Sequence, residues 1–259
     1  VDAIFVTPVI FFVISFIFSM LGMGGGQLYT PILFWFGMDF KTQAIPLSLL
    51  LNLITTSSSS ITYGLKKMID WKVAIPFGVT MVAFAPLGTW LNVKLPTKYI
   101  IITPVIFFVI SFAVFAASAA ILMLRGHRPE SGEISSKGKK ILGISGGSGL
   151  GFLTGLTGLG GGAFVVPLLY MAGIDTKLAV ATSALVATAG GASSILSRIF
   201  TTVQPEWSLW ILNIVAVIIG SQVGSRVMVA KLKAKSVKTI FGWVLLAVST
   251  VLLIQNFLK

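Results

Sequence analysis

The sequence contains no cysteine, one histidine and only seven acidic residues in 259 positions. Without cysteine there is no disulfide framework, no thiol nucleophile and no thiolate metal site. The acids are Asp2, Asp39, Asp70, Glu130, Glu133, Asp175 and Glu206; each falls in a loop or at the end of an apolar run, and His127 lies in a polar stretch. The runs themselves therefore offer neither a proton relay nor a set of metal ligands. Intramembrane hydrolysis needs a serine with a nearby base or a pair of acids, and the runs hold neither. The expectation is a protein that is not an enzyme and that carries no metal and no cofactor. Charge is scarce overall, at 10% of residues, against roughly 25% in a soluble domain.

What the chain does have is apolar length. Hydrophobic residues make up 56% of it, and runs near 20 residues recur from end to end, which is the pattern of a polytopic helical membrane protein embedded in a lipid bilayer. The runs do not alternate polar and apolar residues, which excludes a transmembrane β-barrel. The net charge of +12 is carried by Lys and Arg in the short breaks between runs. That placement sorts topology and excludes nucleic acid as a partner. Residues 4–21 do not read as a cleaved signal, because an equivalent segment opens the second half.

The second half repeats the first. "GMGGGQLYTPIL" (22–33) matches "GLGGGAFVVPLL" (158–169) at an offset of 136 residues. Without a gap the same offset pairs Pro31 with Pro167, Gly37 with Gly173, Asp39 with Asp175 and Lys41 with Lys177. It goes on to pair Ser57-Ser58 with Ser193-Ser194, Asp70-Trp71 with Glu206-Trp207, and Gly88 with Gly224. The chain divides into a first transmembrane repeat (1–124), a polar, mobile linker (125–140) and a second repeat (141–259). Each repeat holds one glycine-interrupted run and three plain ones: 4–37, 42–65, 71–93 and 98–124, then 141–173, 178–200, 207–229 and 239–258.

The interrupted run decides topology. If it crosses the membrane once, the repeats are parallel and the 19 Lys and Arg split 10 to 9, which gives no orientation. If it folds back as a helical hairpin, the repeats are inverted. One face then holds Lys41, Lys94, Lys98, Arg198 and Lys259 and the other face holds the remaining 14. Positive charge marks the cytoplasmic face, so the split favours the hairpin. The predicted fold is an all-α polytopic protein of two inverted repeats, each a broken-helix hairpin plus three transmembrane helices. Both termini are placed outside and the linker in the cytoplasm. The identical segments "TPVIFFVISF" at 7–16 and 103–112 do not obey the offset and have no physical account.

Broken helices in inverted repeats build midplane substrate sites. A helix is expected to restart near Gln27 and again near Ala163. Its first N–H groups have no intrahelical partner and sit at the positive end of the macrodipole. Glycines let an anion approach that backbone closely. The reading is a site for a small anionic substrate, built from dipoles, at Gly24, Gly25, Gly26 and Gln27 and at Gly160, Gly161 and Gly162. Close helix packing is the alternative use of glycine. It is the reading for Gly143, Gly147, Gly151 and Gly155, and for Gly220 with Gly224. "GLGGGA" (158–163) fits a dinucleotide fingerprint but follows no strand and is set aside.

Polar residues inside the runs form a second group. Asn52, Ser57 and Ser58 in the first half, and Thr182, Ser183, Ser193 and Ser194 in the second, serve either as uncharged ligands for oxyanion oxygens or as interhelical hydrogen bonds. Trp71 and Trp207 are expected at the membrane interface, with Asp70 and Glu206 beside them as helix caps. Asp39 and Asp175 are expected to be caps as well.

The duplicated glycine breaks followed by Pro31 and Pro167, the stretch "AVATSALVATAGGASS" (179–194) and the tryptophan opening the third run of each half resemble the TauE/SafE family. The resemblance covers essentially the whole chain, although Pro46 stands where the second half has Thr182. It implies export of sulfite, sulfoacetate or related organosulfonates across the inner membrane. A cation or metal transporter is the alternative, and it calls for embedded carboxylates or for Met or His clusters.

Overall fold

The computed structural model describes residues 3–94, 118, 121, 134–157, 161–198 and 205–257. Among the described residues there are helices and turns and no strand. The first half gives α1 (Ala3–Met20), α2 (Gly26–Trp35), a π-helical turn (Phe40–Ala44), α3 (Ile45–Leu65) and α4 (Trp71–Lys94). The second gives α5 (Ser136–Thr157), α6 (Gly162–Met171), α7 (Thr176–Arg198), α8 (Trp207–Lys231) and α9 (Ala234–Phe257). The chain is an all-α polytopic membrane protein. Among the described residues, four segments are long and apolar enough to cross a bilayer: 40–65, 71–94, 176–198 and 207–231.

Both glycine-rich stretches interrupt a helix, and the leg after each break is ten residues long, about 15 Å. The halves differ where Pro46 lies. It cannot donate to the carbonyl four residues back, and the chain enters α3 through the widened π turn, whereas α7 starts directly at Thr176. Two helices start five residues earlier than their apolar runs do, α5 at Ser136 and α9 at Ala234. At α5 the Ser135 hydroxyl accepts from the Gly138 amide at 3.2 Å, so the polar stretch up to residue 140 is partly helix. This corrects the reading of 125–140 as a mobile linker for residues 136–140; residues 125–133 lie outside the described set, as does the 103–112 segment.

The two most extensive helix contacts among the described residues each join one half to the other. Gly143, Gly147, Gly151 and Gly155 face α4, where a Cβ on any of them would meet the backbone or side chains of Pro76, Phe77, Thr80, Met81 or Ala85. On the facing side, Gly88 packs against Phe152 and Leu156. The same device joins α8 to α1: Gly220 packs against Phe12 and Ser15, and Gly224 against Phe16 and Ser19. The pairs are equivalent under the 136-residue offset, since Gly88 corresponds to Gly224 and Phe152 to Phe16. The glycine stripes are therefore packing faces, as expected.

The contacts also fix relative direction. α1 runs with α8 (12 beside 220, 16 beside 224), and α8 runs with α3 (Ser58 to Ser221, Thr62 to Ser225). α4 runs with α5, and also with α7 (Gly78 beside Ala189, Ser193 to Val82). α3 and α7 cross in opposed senses, with Asn52 near Gly191 and Ser60 bonded to Thr188. These two are the central pair: 72% and 67% of their apolar windows are buried, against 44% for α4 and for α8. The outer helices turn Ile75, Val79, Ile211 and Val215 outward, the surface expected of helices facing lipid.

Gly149 supplies an internal control for the stripe, because a Cβ there meets nothing within 4 Å. Gly155→Ala should lower the thermal stability of the solubilised protein by about 1–3 kcal/mol through overpacking. Gly149→Ala, on the same helix, should leave stability unchanged or raise it by up to about 1 kcal/mol through helix propensity. Equal losses in a melting experiment would remove the packing role.

Candidate functional site

The two breaks touch. A Cβ at Gly162, the first residue of α6, would lie 2.9 Å from the Gly22 carbonyl oxygen and 3.2 Å from Met23 Cα. The Ser183 hydroxyl sits at the junction, 3.0 Å from the carbonyl oxygens of both Gly22 and Gly162. Its one hydrogen can serve either oxygen. Gly22 has φ +67° and Gly25 has φ +81°, backbone that only glycine adopts cheaply. Gly161 does not: its φ is −82°, and a Cβ there would meet the flexible end of Met81. At this pair of equivalent positions the first break is the more strictly constrained. Gly160 lies outside the described residues.

Side chains from α3 tie the first break in place. Asn52 Oδ1 accepts from the Gly26 amide at 3.4 Å, and Ser48 donates to the Gly26 carbonyl at 3.4 Å while accepting from Thr30 at 2.7 Å. Tyr29 pairs with Thr55 at 3.1 Å. Gly26 and Gly162 correspond under the offset, and in each half a serine of the central helix, Ser48 or Ser183, holds that glycine's carbonyl. Gln27 is buried in the first turn of α2.

Asn52 is the residue with unfilled capacity. It is fully buried, its Oδ1 faces Gly24 and Gly26, and its Nδ2 has no hydrogen-bond partner. That Nδ2 lies 3.5 Å from where a Cβ of Gly191 would stand. A buried donor without a partner costs about 1–3 kcal/mol, a cost that a bound acceptor would remove.

Several sequence-predicted residues are engaged elsewhere. Ser58 accepts from Gln222 Nε2 at 2.7 Å and from Ser221 at 2.9 Å, joining α3 to α8. Ser193 donates to the Val82 carbonyl at 2.7 Å. Ser57 and Ser194 donate back into their own helices, to Ile54 at 3.2 Å and Gly190 at 2.9 Å. Thr182 accepts from the Asp70 amide at 3.0 Å. These five hydroxyls thus turn to different partners within the fold. The reason is angular: on a helix, neighbours point about 100° apart, so a serine run cannot all face one site.

The acids mostly cap, as expected. Asp39 accepts from the amides of Lys41 (3.1 Å) and Thr42 (2.8 Å) and from the Thr42 hydroxyl (2.7 Å). The Thr42 bonds come first among the causes holding its carboxyl below the usual carboxylate range. It stays ionised at neutral pH and is not poised to carry a proton. Asp175 accepts from Lys177 at 2.9 Å. Asp70 caps Lys72 at 3.0 Å and also pairs with Lys139 Nζ at 2.7 Å. Glu206 makes no side-chain cap, which corrects that expectation. Among the described residues, no three of His, Asp and Glu gather as a metal site.

A buried cation escaped the sequence reading. Arg198, the last residue of α7, is 4% exposed and donates to Asn92 Oδ1 at 2.8 Å. Asn92 in turn donates to the Leu156 carbonyl at 2.7 Å, at the end of α5 just before the second break. Arg198 stands 15 residues beyond Ser183 on α7, about 22 Å away. Its signal in the sequence was a lone arginine inside an apolar run, two residues before the end of 178–200.

The family model described as "Sulfite exporter TauE/SafE" matches residues 8–252. A protein of Methanocaldococcus jannaschii described as a probable membrane transporter is 32% identical over 178 residues, which are 66% of this chain and 63% of the relative. The chain thus aligns with less than two thirds of that relative's length. No solved structure matches the chain.

Proposed function

Because the chain belongs to the TauE/SafE family and is a membrane transporter, we propose that it exports a small sulfur-containing anion, sulfite or an organosulfonate such as sulfoacetate, through a site at the meeting point of the two glycine breaks. The observation that carries this reading is Asn52, whose buried Nδ2 lacks a partner beside Gly24 and Gly191. The anion is held there by that amide, by Gln27 and by the positive ends of α2 and α6, where it shares the Gly26 amide with Asn52 Oδ1. Ser183 joins the ligands when its hydroxyl leaves the two carbonyls. Arg198 draws anions to one mouth of the path. The helix directions support an inverted repeat: α1 and α3 run with α8, their offset partners α5 and α7 run with α4, and the central pair α3 and α7 is opposed. Together with the charge split, these directions support a linker in the cytoplasm and a protein of the inner membrane.

Asp39 stays ionised and no acid lies within a span, so export runs down the membrane potential without a coupled proton. One charge moved across 100 mV is worth about 2.3 kcal/mol, or roughly 50-fold accumulation. In proteoliposomes at equal pH, a potassium-diffusion potential should drive uptake of sulfite or sulfoacetate and not of carboxylate analogues. A flux that ignores voltage and follows a pH gradient would overturn the driving force. Binding of none of the sulfonates would overturn the substrate.

A further inference from the structure

We propose that Asp70 is a one-sided latch: its carboxylate on Lys139 and its amide on Thr182 hold the starts of α4, α5 and α7 together and close that face of the protein over the junction of the two breaks. The three starts share a face because the three helices run in one direction. Asp70 lies among them, in the connection from α3 to α4. Its carboxylate meets Lys139 Nζ of α5 at 2.7 Å, and the lysine and aspartate side chains are only 11% and 10% exposed. Its amide donates to the Thr182 hydroxyl of α7 at 3.0 Å. Thr182 adjoins Ser183, whose hydroxyl touches both breaks. One residue thus ties three helices, one position along α7 from the junction. The role of the latch in transport rests on the reading of that junction as the path.

The equivalent residues cannot form this contact at the other face, where the starts of α1, α3 and α8 lie. The 136-residue offset takes Asp70 to Glu206, Lys139 to Ala3 and Thr182 to Pro46. Ala3 brings no charge and Pro46 no hydroxyl. Glu206 is exposed and makes no side-chain cap. Inverted repeats open a midplane site to either side by rocking one bundle against the other, and two identical halves would favour neither side. A contact made at one face only shifts that equilibrium toward the state closed there. An ion pair suits the task. Buried, it is a weak source of stability compared with apolar packing, but both of its charges are taken up by water when the seam parts, whereas an apolar seam would expose its surface.

The test puts a reporter at the junction of the cysteine-free chain, Ser183→Cys, with Ala187→Cys beside Gly162 as a second reporter should the first not fold. An impermeant maleimide is added to either face of reconstituted vesicles; the latched face is the one from which Asp175→Cys is labelled. From that face the reporter alone should react slowly. Asp70→Asn, which keeps an acceptor for the Lys72 amide, and Lys139→Gln should each raise the rate roughly tenfold, the factor that about 1.4 kcal/mol gives. The two together should raise it no further than either alone, because they cut the same contact. Thr182→Val, which leaves both charges in place, should give a smaller rise. Glu206→Gln should change nothing, and labelling from the opposite face should rise in none of the variants. Unchanged rates in Asp70→Asn and Lys139→Gln, additive rises in the double variant, or equal rises from both faces would overturn the latch. No anion is present in the assay, so a wrong substrate leaves this result intact, and a failed latch leaves the sulfonate flux measurement standing.

Discussion

Gly24→Ala should destabilise the protein by about 1–3 kcal/mol, the usual cost of overpacking, and should weaken sulfonate binding by tenfold or more. The new Cβ would overlap Asn52 Oδ1. Gly24 does not occupy the left-handed region, so alanine's backbone is tolerated and the side-chain clash alone does the damage. Asn52 must move, and the anion then loses a hydrogen bond of the charge-assisted kind, worth about 1.5–3 kcal/mol. A double-mutant cycle isolates the contact. In an Asn52→Ala background there is room for the methyl group, so Gly24→Ala should cost little further stability while binding stays lost. Melting curves and titration calorimetry on the four proteins read both quantities. If Gly24→Ala costs the same stability in both backgrounds, the two residues do not meet. If Asn52→Ala binds sulfonate with full affinity, the amide is not a ligand.

Single cysteines at positions 39 and 175 should be labelled from opposite faces of the membrane. The wild-type chain has no cysteine, so the background is silent. Asp39 precedes the π turn that leads into α3, Asp175 precedes α7, and the two central helices are opposed. Their starts therefore lie on opposite sides, and the proposed orientation puts 39 outside and 175 in the cytoplasm. Parallel repeats would put both on one side. A third cysteine at 127 sets the absolute orientation: an impermeant maleimide should reach it only in inverted vesicles. Labelling of 39 and 175 from the same face would overturn the inverted repeat. Labelling of 127 from outside would reverse the direction while keeping the repeat.

The features that were legible in the sequence are those a repeat writes twice. The offset of 136 places Gly26 and Gly162 at the same helix start, and it places Gly88 and Gly224 against the corresponding Phe152 and Phe16. The short second leg could be read because glycines mark one end and Gly37 or Gly173, both at positive φ, the other. Composition did not tell which way a hydroxyl points. Asn52 and Ser58 are six residues apart on one helix, yet one meets the glycine break and the other meets α8. Arg198 and Lys139 read as loop charges because their partners, Asn92 in α4 and Asp70 just before it, are distant in the sequence. Local pattern carries no information about such pairs. The early starts of α5 and α9 were missed because lysines fill a helical turn as readily as they fill a loop.

The exchanged helix pairs also set an order of assembly. α4 meets its groove partner only when α5 has been made, and α1 must wait for α8. Phe16 and Gly224 are 208 positions apart, which at about 5–20 residues per second is on the order of 10–40 s of synthesis. During that interval α1 sits in the bilayer with lipid against the face that will later receive Gly220 and Gly224. The α4–α5 seam closes first and the α1–α8 seam last. The nascent protein therefore passes through a stage in which both breaks exist but only one is clamped, and that stage lasts until α8 has been made.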